Sequence, residues 1–292
     1  MRRVIYSLYI DIPLDECNEE YPLHGDTISK TIRTKEIFAR EHQRLIKVQQ
    51  AYSNHINVDY KIFTESKEYV DFYQWHRQNI PQMNTYCIVN FYKIKKLYDL
   101  AEEYDEVLYI DLDVIPMTYK NFFDAWDFNK GLVIYNNNHA INQYDTPFLL
   151  MNKGQRSPAA KFFNAQAMLI HQNFKPECDV INTAIVGGNK KYITQLNYFT
   201  NWQHTMDLMT ELQTKDDGMY PENIRNMFGY DNETVFSYKL KATETPYQWL
   251  DNQWHYFYSK SPHIPYETKF CHVVNKNFEK AWKLYEQKKI NF

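Results

Sequence analysis

The 292-residue sequence contains no stretch approaching the ~20 consecutive apolar residues of a membrane-spanning helix, so no transmembrane segment is expected. Cysteine is scarce: Cys17, Cys87, Cys178 and Cys271 are the four, and no two form a C-x-x-C pair. A disulfide framework or a structural zinc site is therefore not indicated, and reduced thiols in a cytoplasmic protein are the expectation. Neither sign of charge dominates, with 33 Lys+Arg against 36 Asp+Glu and a formal net charge of -3. That balance argues against a surface built for nucleic acid. Internal repeats, low-complexity tracts and linkers are also missing, so one domain over residues 1–292 is the expected organisation. Glycine is rare, at 7 residues, whereas tyrosine is abundant, at 25.

What is present is an alternation of strand and helix patterns. "MRRVIYSLYIDIP" is too short and too polar for a signal peptide and reads as a first strand over residues 4–10. Ile32, Ile37, Phe38, Leu45 and Val48 follow at helical spacing. "VDYKIFTES" reads as a second strand and "YVDFYQWHRQ" as a short helix. "TYCIVNFYKIKKLYDLAEEY" is the strongest helix, with Ile88, Phe91, Leu97 and Leu100 among its apolar positions. "EVLYIDLDV", "GLVIYNNN" and "KFFNAQAMLIH" are predicted as further strands. Such alternation implies an α/β fold.

One strand ends in two acids. The apolar run 107–110 leads into Asp111 and Asp113. Two carboxylates at the edge of a core repel each other and are costly to desolvate, so something should neutralise them. Side chains at i and i+2 of a strand share a face, so the pair can converge on one cation. The carboxyl edge of an open sheet is also where α/β proteins bind ligands. A divalent ion would remove the repulsion and could bridge two phosphate oxygens. The alternative is a pair of solvated carboxylates opening a loop.

The segment "DEVLYIDLDVIP" resembles the D-x-D segment of retaining glycosyltransferases of the GT-A fold, especially family 8, which includes glycogenin and bacterial galactosyltransferases. The resemblance implies a single GT-A, Rossmann-like domain with a central mixed, mostly parallel sheet flanked by helices. Residues 1–130 would form the nucleotide-binding half, and 131–292 the sugar and acceptor half with a C-terminal closing segment. Upstream, "FYKI" places Lys93 where the family has an arginine on a helix. Downstream, "FFNAQAMLI" resembles the family's F-N-A-G strand. Asn164 and Ala165 would then lie at the donor sugar, with Gln166 in place of the glycine. "GYDNETVF" resembles the D-Q-D segment: Asp231 would hold sugar hydroxyls and Asn232 would lie near the reacting carbon. Asp231 is also a reasonable helix N-cap. "TKFCHVVNKNFEKAW" resembles the closing segment that supplies a metal-binding histidine, here His272, followed by a phosphate-binding lysine, Lys276 or Lys280.

By this resemblance Asp111, Asp113 and His272 would hold manganese, with magnesium as the alternative, on the diphosphate of a nucleotide sugar. Two carboxylates plus an imidazole suit manganese somewhat better. A UDP-sugar is the favoured donor, and the acceptor would be a hydroxyl of a glycan or other molecule. Asp11 would lie near the nucleoside, and Asp111 beside the diphosphate. Transfer with retention is implied by the resemblance alone. For a double displacement Asp231 or Glu233 would be the carboxylates available. "YQWLDNQWHYFY" has the aromatic and polar mix that packs on sugar faces, and Trp249, Trp254 and His255 are candidate acceptor contacts, an aromatic core being the alternative. Two rival classes remain. "DLDVI" partly fits the D-x-D-x-[TV] of haloacid-dehalogenase-like phosphohydrolases, with Asp216 and Asp217 as the later acidic pair. A non-catalytic nucleotide-sugar-binding protein is the other.

Overall fold

Apolar residues on both parities of a strand mean burial on both faces, and β1 (Arg3–Leu8) shows this directly. Val4, Tyr6 and Leu8 enter one core cluster, and Ile5 enters another on the opposite face of the sheet. β3 (Glu106–Ile110) does the same, with Val107 and Tyr109 on one side and Leu108 and Ile110 on the other. Each such fully buried side chain contributes about 1.5–3 kcal/mol. In this computed structural model residues 1–13, 16, 27–141, 157–216, 219–259 and 263–290 are described.

β1 pairs in parallel with both β2 (Asp59–Phe63) and β3. The crossovers are α1 (Thr27–His55), then α2 (Lys67–Asn79) and α3 (Thr85–Glu103). After β3 come β4 (Val114–Pro116), α4 (Phe122–Ala125), β5 (Leu132–Asn136), α5 (Pro158–His171) and β6 (Ile181–Asn189). The chain continues through α6 (Lys190–Gln195), α7 (Trp202–Thr214), α8 (Glu222–Arg225) and α9 (Asn232–Ala242). It closes with β7 (Tyr247–Trp249), β8 (Tyr256–Tyr258), β9 (Phe270–Val273) and α10 (Phe278–Gln287). The six-stranded sheet has the order β2-β1-β3-β6-β5-β7, and a second sheet has the order β4-β9-β8. In the larger sheet β6 runs antiparallel to both its neighbours, and the remaining pairings are parallel. The expected α/β architecture, a central mixed sheet flanked by helices, is thus observed. Among the described residues no helix is long and apolar enough to cross a membrane.

One expected strand is a helix. Residues 161–171 lie in α5, and the start signals are ordinary ones. Ser157 is the N-cap, accepting from the Ala160 amide at 3.2 Å, and Pro158 opens the first turn. The strand in this part of the chain is instead β6, "INTAIVGGN", paired with β3 and β5. Its two glycines hide it from a local reading, since glycine weakens strands. Here they allow close packing: a Cβ on Gly187 would lie 2.8 Å from the Phe128 ring, and one on Gly188 2.6 Å from Leu132.

A buried histidine gives the fold a pH dependence. His76 on α2 is 1 % exposed; its Nδ1 donates to the Phe72 carbonyl (2.8 Å), and its Nε2 accepts from the Trp202 indole (3.0 Å). Burial pushes its pKa down to about 4. The native state holds this ring neutral, so its contribution is complete above the unfolded pKa of about 6.5 and is lost as pH falls through the folded value. Between those limits stability should fall by about 3 kcal/mol on this account. Urea unfolding of wild type and His76→Gln from pH 7.5 to 4 tests it. The variant should lose the slope, and parallel curves would exclude His76 as its source.

Candidate active site

β3 ends at Ile110, and the chain turns at once. Asp111 and Asp113 therefore converge through a turn rather than along one strand face. The Val114 amide donates to the Asp111 carbonyl (3.0 Å), and the Asp111 amide donates to the Ala184 carbonyl of β6 (2.7 Å). Gln49 clamps this turn from α1. Its amide nitrogen lies 3.0 Å from the Asp111 carbonyl and 2.9 Å from that of Val114. Its oxygen accepts from the hydroxyls of Ser7 (2.6 Å) and Tyr60 (3.0 Å), and the side chain is fully buried. Gln49 was not singled out from the sequence. The signal was there: Leu45, Gln49 and Tyr52 lie at i, i+4 and i+7, a polar residue inside an apolar helical stripe.

β9 brings the third group. It pairs antiparallel with β4, Val114 standing opposite His272, and the Val273 amide donates to the Asp113 carbonyl at 2.9 Å. His272 Nε2 consequently sits 3.4 Å from Asp113 Oδ2. One ligand atom from each of Asp111, Asp113 and His272 can be chosen so that all lie within 4.8 Å of one another. The Asp113 and His272 side chains are 7 % and 8 % exposed and that of Asp111 27 %, so the cluster opens on the Asp111 side.

Each aspartate already has a cation. The Lys276 ammonium binds Asp113, and Lys93 of α3 lies 3.4 Å from Asp111 Oδ1, which also accepts from the Tyr109 hydroxyl. Burial alone would raise the pKa of Asp113. The charge of Lys276 and the hydrogen bond from His272 outweigh it and hold the carboxyl well below the usual carboxylate range. Two carboxylates and an imidazole, with an ammonium already drawn to the inner carboxylate, fit a divalent cation of intermediate hardness.

Beside the cluster lies the start of α9. Asp231 is its N-cap, accepting from the amides of Glu233 (2.9 Å) and Thr234 (3.1 Å). Asn232 donates to Thr183 Oγ1 (2.8 Å). Glu233 accepts from the Thr183 amide (2.9 Å), from Asn182 Nδ2 (3.0 Å) and from the Lys161 ammonium. Lys161 on α5 is also 3.6 Å from Asp231. Burial opposes ionisation of both partners. The charges of Lys161 and Lys93 nevertheless hold Glu233 below its ordinary pKa, and Asp231 and Glu233 hold Lys161 above its own. Asn182, Thr183 and Ala184 of β6 thus link Asp111 to the α9 start, and none was singled out from the sequence. An N-T-A in a β-branched run was the available signal.

Other candidates fall in different surroundings. Asn164 is buried on α5 and donates to the Gly229 carbonyl (3.0 Å), anchoring the loop before Asp231. Ala165 is buried and Gln166 half-buried on the same helix. Asp11 is exposed just beyond β1 and pairs with Lys35 at 2.5 Å. Lys280 is exposed on α10. Trp254 packs against Phe122 and Phe270, with centroids 5.2 and 5.3 Å away, so this indole is core. Trp249 is half-buried on β7 beside Tyr247. His255 is fully buried, its Nε2 3.0 Å from His272 Nδ1. Asp216 pairs with Arg225 at 3.0 Å, and Asp217 lies outside the described residues.

No family model matches the chain, and no curated protein does. Solved structures do. The glycosyltransferase involved in glycosylation of the major capsid of PBCV-1 aligns over 99% of both chains, at 11% identity and a TM-score of 0.41. Galactosyltransferase LgtC in complex with donor and acceptor sugar analogs aligns over 98% of this chain and 95% of its own, at 10% identity and a TM-score of 0.45. Mouse xyloside xylosyltransferase 1 aligns over 93% of this chain and 97% of its own, at 9% identity and a TM-score of 0.43. Each of these three structures is of a glycosyltransferase.

Proposed function

We propose that the protein transfers a sugar, a hexose, from a nucleotide sugar to an acceptor hydroxyl in a divalent-metal-dependent reaction that retains anomeric configuration. The observation carrying this reading is the convergence of Asp111, Asp113 and His272 at the carboxyl end of β3, with Lys93 and Lys276 beside them. Those three residues would hold manganese, or magnesium in its place. When bound, the ion supplies neutralisation of a diphosphate, and a UDP-sugar is the favoured donor.

The chain's own groups have separable tasks. Lys276 can leave Asp113 for a diphosphate oxygen once another cation holds that carboxylate, and Lys93 stands beside Asp111 where the cluster opens. Lys280, further along on α10, is the second lysine assigned to the diphosphate. Asp11 is assigned to the nucleoside. Asp231 and Asn232 at the start of α9 face the donor sugar, with Asn164 and Ala165 supporting that loop from α5 and Gln166 bordering it. Trp249 is the aromatic candidate for the acceptor that retains surface.

Retention by double displacement needs a free carboxylate. Asp231 is committed to its helix cap, and both oxygens of Glu233 are hydrogen-bonded. A front-face route fits these commitments better. The acceptor oxygen bonds to the anomeric carbon as the carbon–oxygen bond to phosphate breaks, and the leaving diphosphate takes the hydroxyl proton. Preorganised positive charge at the diphosphate is then the main contribution of the protein. A phosphohydrolase would need a free nucleophilic aspartate, whereas Asp111 accepts from Tyr109 and Asp113 is held by Lys276.

The test is a panel of nucleotide sugars with manganese, read by release of nucleoside diphosphate. Release that stops in excess chelator supports the reading. Phosphate release from simple phosphomonoesters would replace it with the phosphohydrolase, and tight binding of a UDP-sugar without turnover would leave a binding protein.

A further inference from the structure

His255 is a buried imidazole surrounded by other rings. Tyr135 lies 4.3 Å away between centroids, Phe257 5.2 Å and His272 5.3 Å, the last nearly parallel. Its Nε2 faces His272 Nδ1 at 3.0 Å, and its Nδ1 has no hydrogen-bond partner. A buried polar atom without a partner is costly, since it has given up water for nothing. A phenylalanine would fill the same space without that cost, so the nitrogen facing His272 calls for an explanation.

His272 uses its two nitrogens in opposite directions. Nε2 points to Asp113, and Nδ1 points to His255. An imidazole that coordinates a cation through Nε2 must carry its proton on Nδ1, and that proton needs an acceptor. Such an acceptor is commonly a carboxylate or carbonyl, which fixes one tautomer permanently. Here it is a second imidazole, which can either accept or donate. We propose that His255 is the positioning residue that sets the tautomer of His272, and that the two rings exchange tautomers together when a divalent ion occupies the Asp111–Asp113–His272 cluster. The inference rests on the metal-site reading above.

The protons balance. With no ion, His272 carries its proton on Nε2, facing the Asp113 carboxylate, and His255 donates from Nε2 to His272 Nδ1. With the ion, the Nε2 proton of His272 is released to water, the proton between the rings passes from His255 Nε2 to His272 Nδ1, and His255 takes up one proton from water at Nδ1. Each ring stays neutral, and the net charge of the pair does not change. The orphan Nδ1 of His255 is thus the far end of a two-ring relay, bare in one state and protonated in the other.

Two measurements on the full chain, neither using turnover, decide this. In the first, manganese affinity is read from free Mn2+ by electron paramagnetic resonance, without nucleotide. His255→Phe should bind about 10–100-fold more weakly than wild type. His255→Gln, whose amide can donate or accept, should recover most of that loss. In the second, nitrogen-15 spectra of the wild-type histidines are recorded with and without Zn2+ as a diamagnetic probe. His255, which does not touch the cluster carboxylates, should change from the Nε2–H to the Nδ1–H form. The second measurement stands even if the phenylalanine variant fails to fold. Unchanged manganese affinity in a folded His255→Phe, or an unchanged His255 tautomer in a zinc-bound protein, overturns the proposal. A wild type that binds no divalent ion would instead overturn the metal reading itself, and this relay with it.

Discussion

Replacing Asp113 with asparagine should lower nucleotide-sugar turnover by about 10³-fold, close to 4 kcal/mol of lost transition-state stabilisation. Asparagine keeps the size of the side chain and an oxygen for Lys276. The main-chain carbonyl that accepts from Val273 is untouched. What disappears is the one negative charge that both Lys276 and His272 face. Asp111 would then stand alone against Lys93 and Lys276, and a divalent ion would meet a net positive site. The fold should survive, with circular dichroism unchanged and the melting temperature lowered at neutral pH. The sign of the pH dependence follows from the depressed pKa of Asp113. Its contribution to wild-type stability is present above the unfolded carboxylate value, about 4, and is lost as pH falls toward the lower folded value. The melting gap between variant and wild type should therefore narrow below about pH 4. A folded Asp113→Asn protein with turnover within threefold of wild type would remove Asp113 from the site.

The parts of this architecture written in short segments were legible in the sequence. β1, β3 and β5 are runs whose own residues report burial, β2 is an alternating, half-buried run, and α1 and α3 announce themselves by apolar spacing. Asp111 and Asp113 follow from a strand that ends in two acids, His272 follows from the resemblance, and the three meet in space. What could not be read locally depends on partners far away. The pairing of β4 with β9 joins residues more than 150 positions apart, and it decides that His272 stands beside Asp113. Gln49 matters because of five groups it touches on β1, β2 and the turn, none visible from α1 itself. The segment 161–171 was misread because F-N-A resembled a strand motif, although Ser157, Pro158 and a run of alanines spelled a helix start. For Trp254 and His255 the aromatic and polar mix of 247–258 leaves both an acceptor contact and an aromatic core open. Both side chains are turned inward, Trp254 onto Phe122 and Phe270 and His255 onto His272.

The helix that replaced the expected strand carries the second large effect. Lys161 projects from α5 onto Glu233 and lies 3.6 Å from Asp231, with side-chain exposures of 16 %, 10 % and 7 %. Removing one member of a buried ion pair leaves the other charge uncompensated, so Lys161→Met should cost about 3–5 kcal/mol in urea unfolding at pH 7. The lower end is expected, because Glu233 keeps its bonds from Asn182 and Thr183. Adding Glu233→Gln should return part of the loss, since the glutamine oxygen can still accept from those two residues and only Asp231, which keeps the two amides of its helix cap, is left without the lysine. Acidification separates this from a packing defect. In the wild type the depressed Glu233 contributes above its unfolded pKa, about 4.3, and less below it. In Lys161→Met the same carboxyl, buried and without its main counter-charge, is raised above that value and is relieved by protonation. The deficit should accordingly shrink as pH falls from 7 to 4. Turnover should fall as well, because Asp231 and Asn232, which are proposed to face the donor sugar, lie at the same start of α9, while nucleotide affinity, proposed to depend on the Asp111–Asp113–His272 cluster, should change little. A loss below 1 kcal/mol, or a double variant as unstable as the sum of the single ones, would show that Lys161 and Glu233 do not act as a pair.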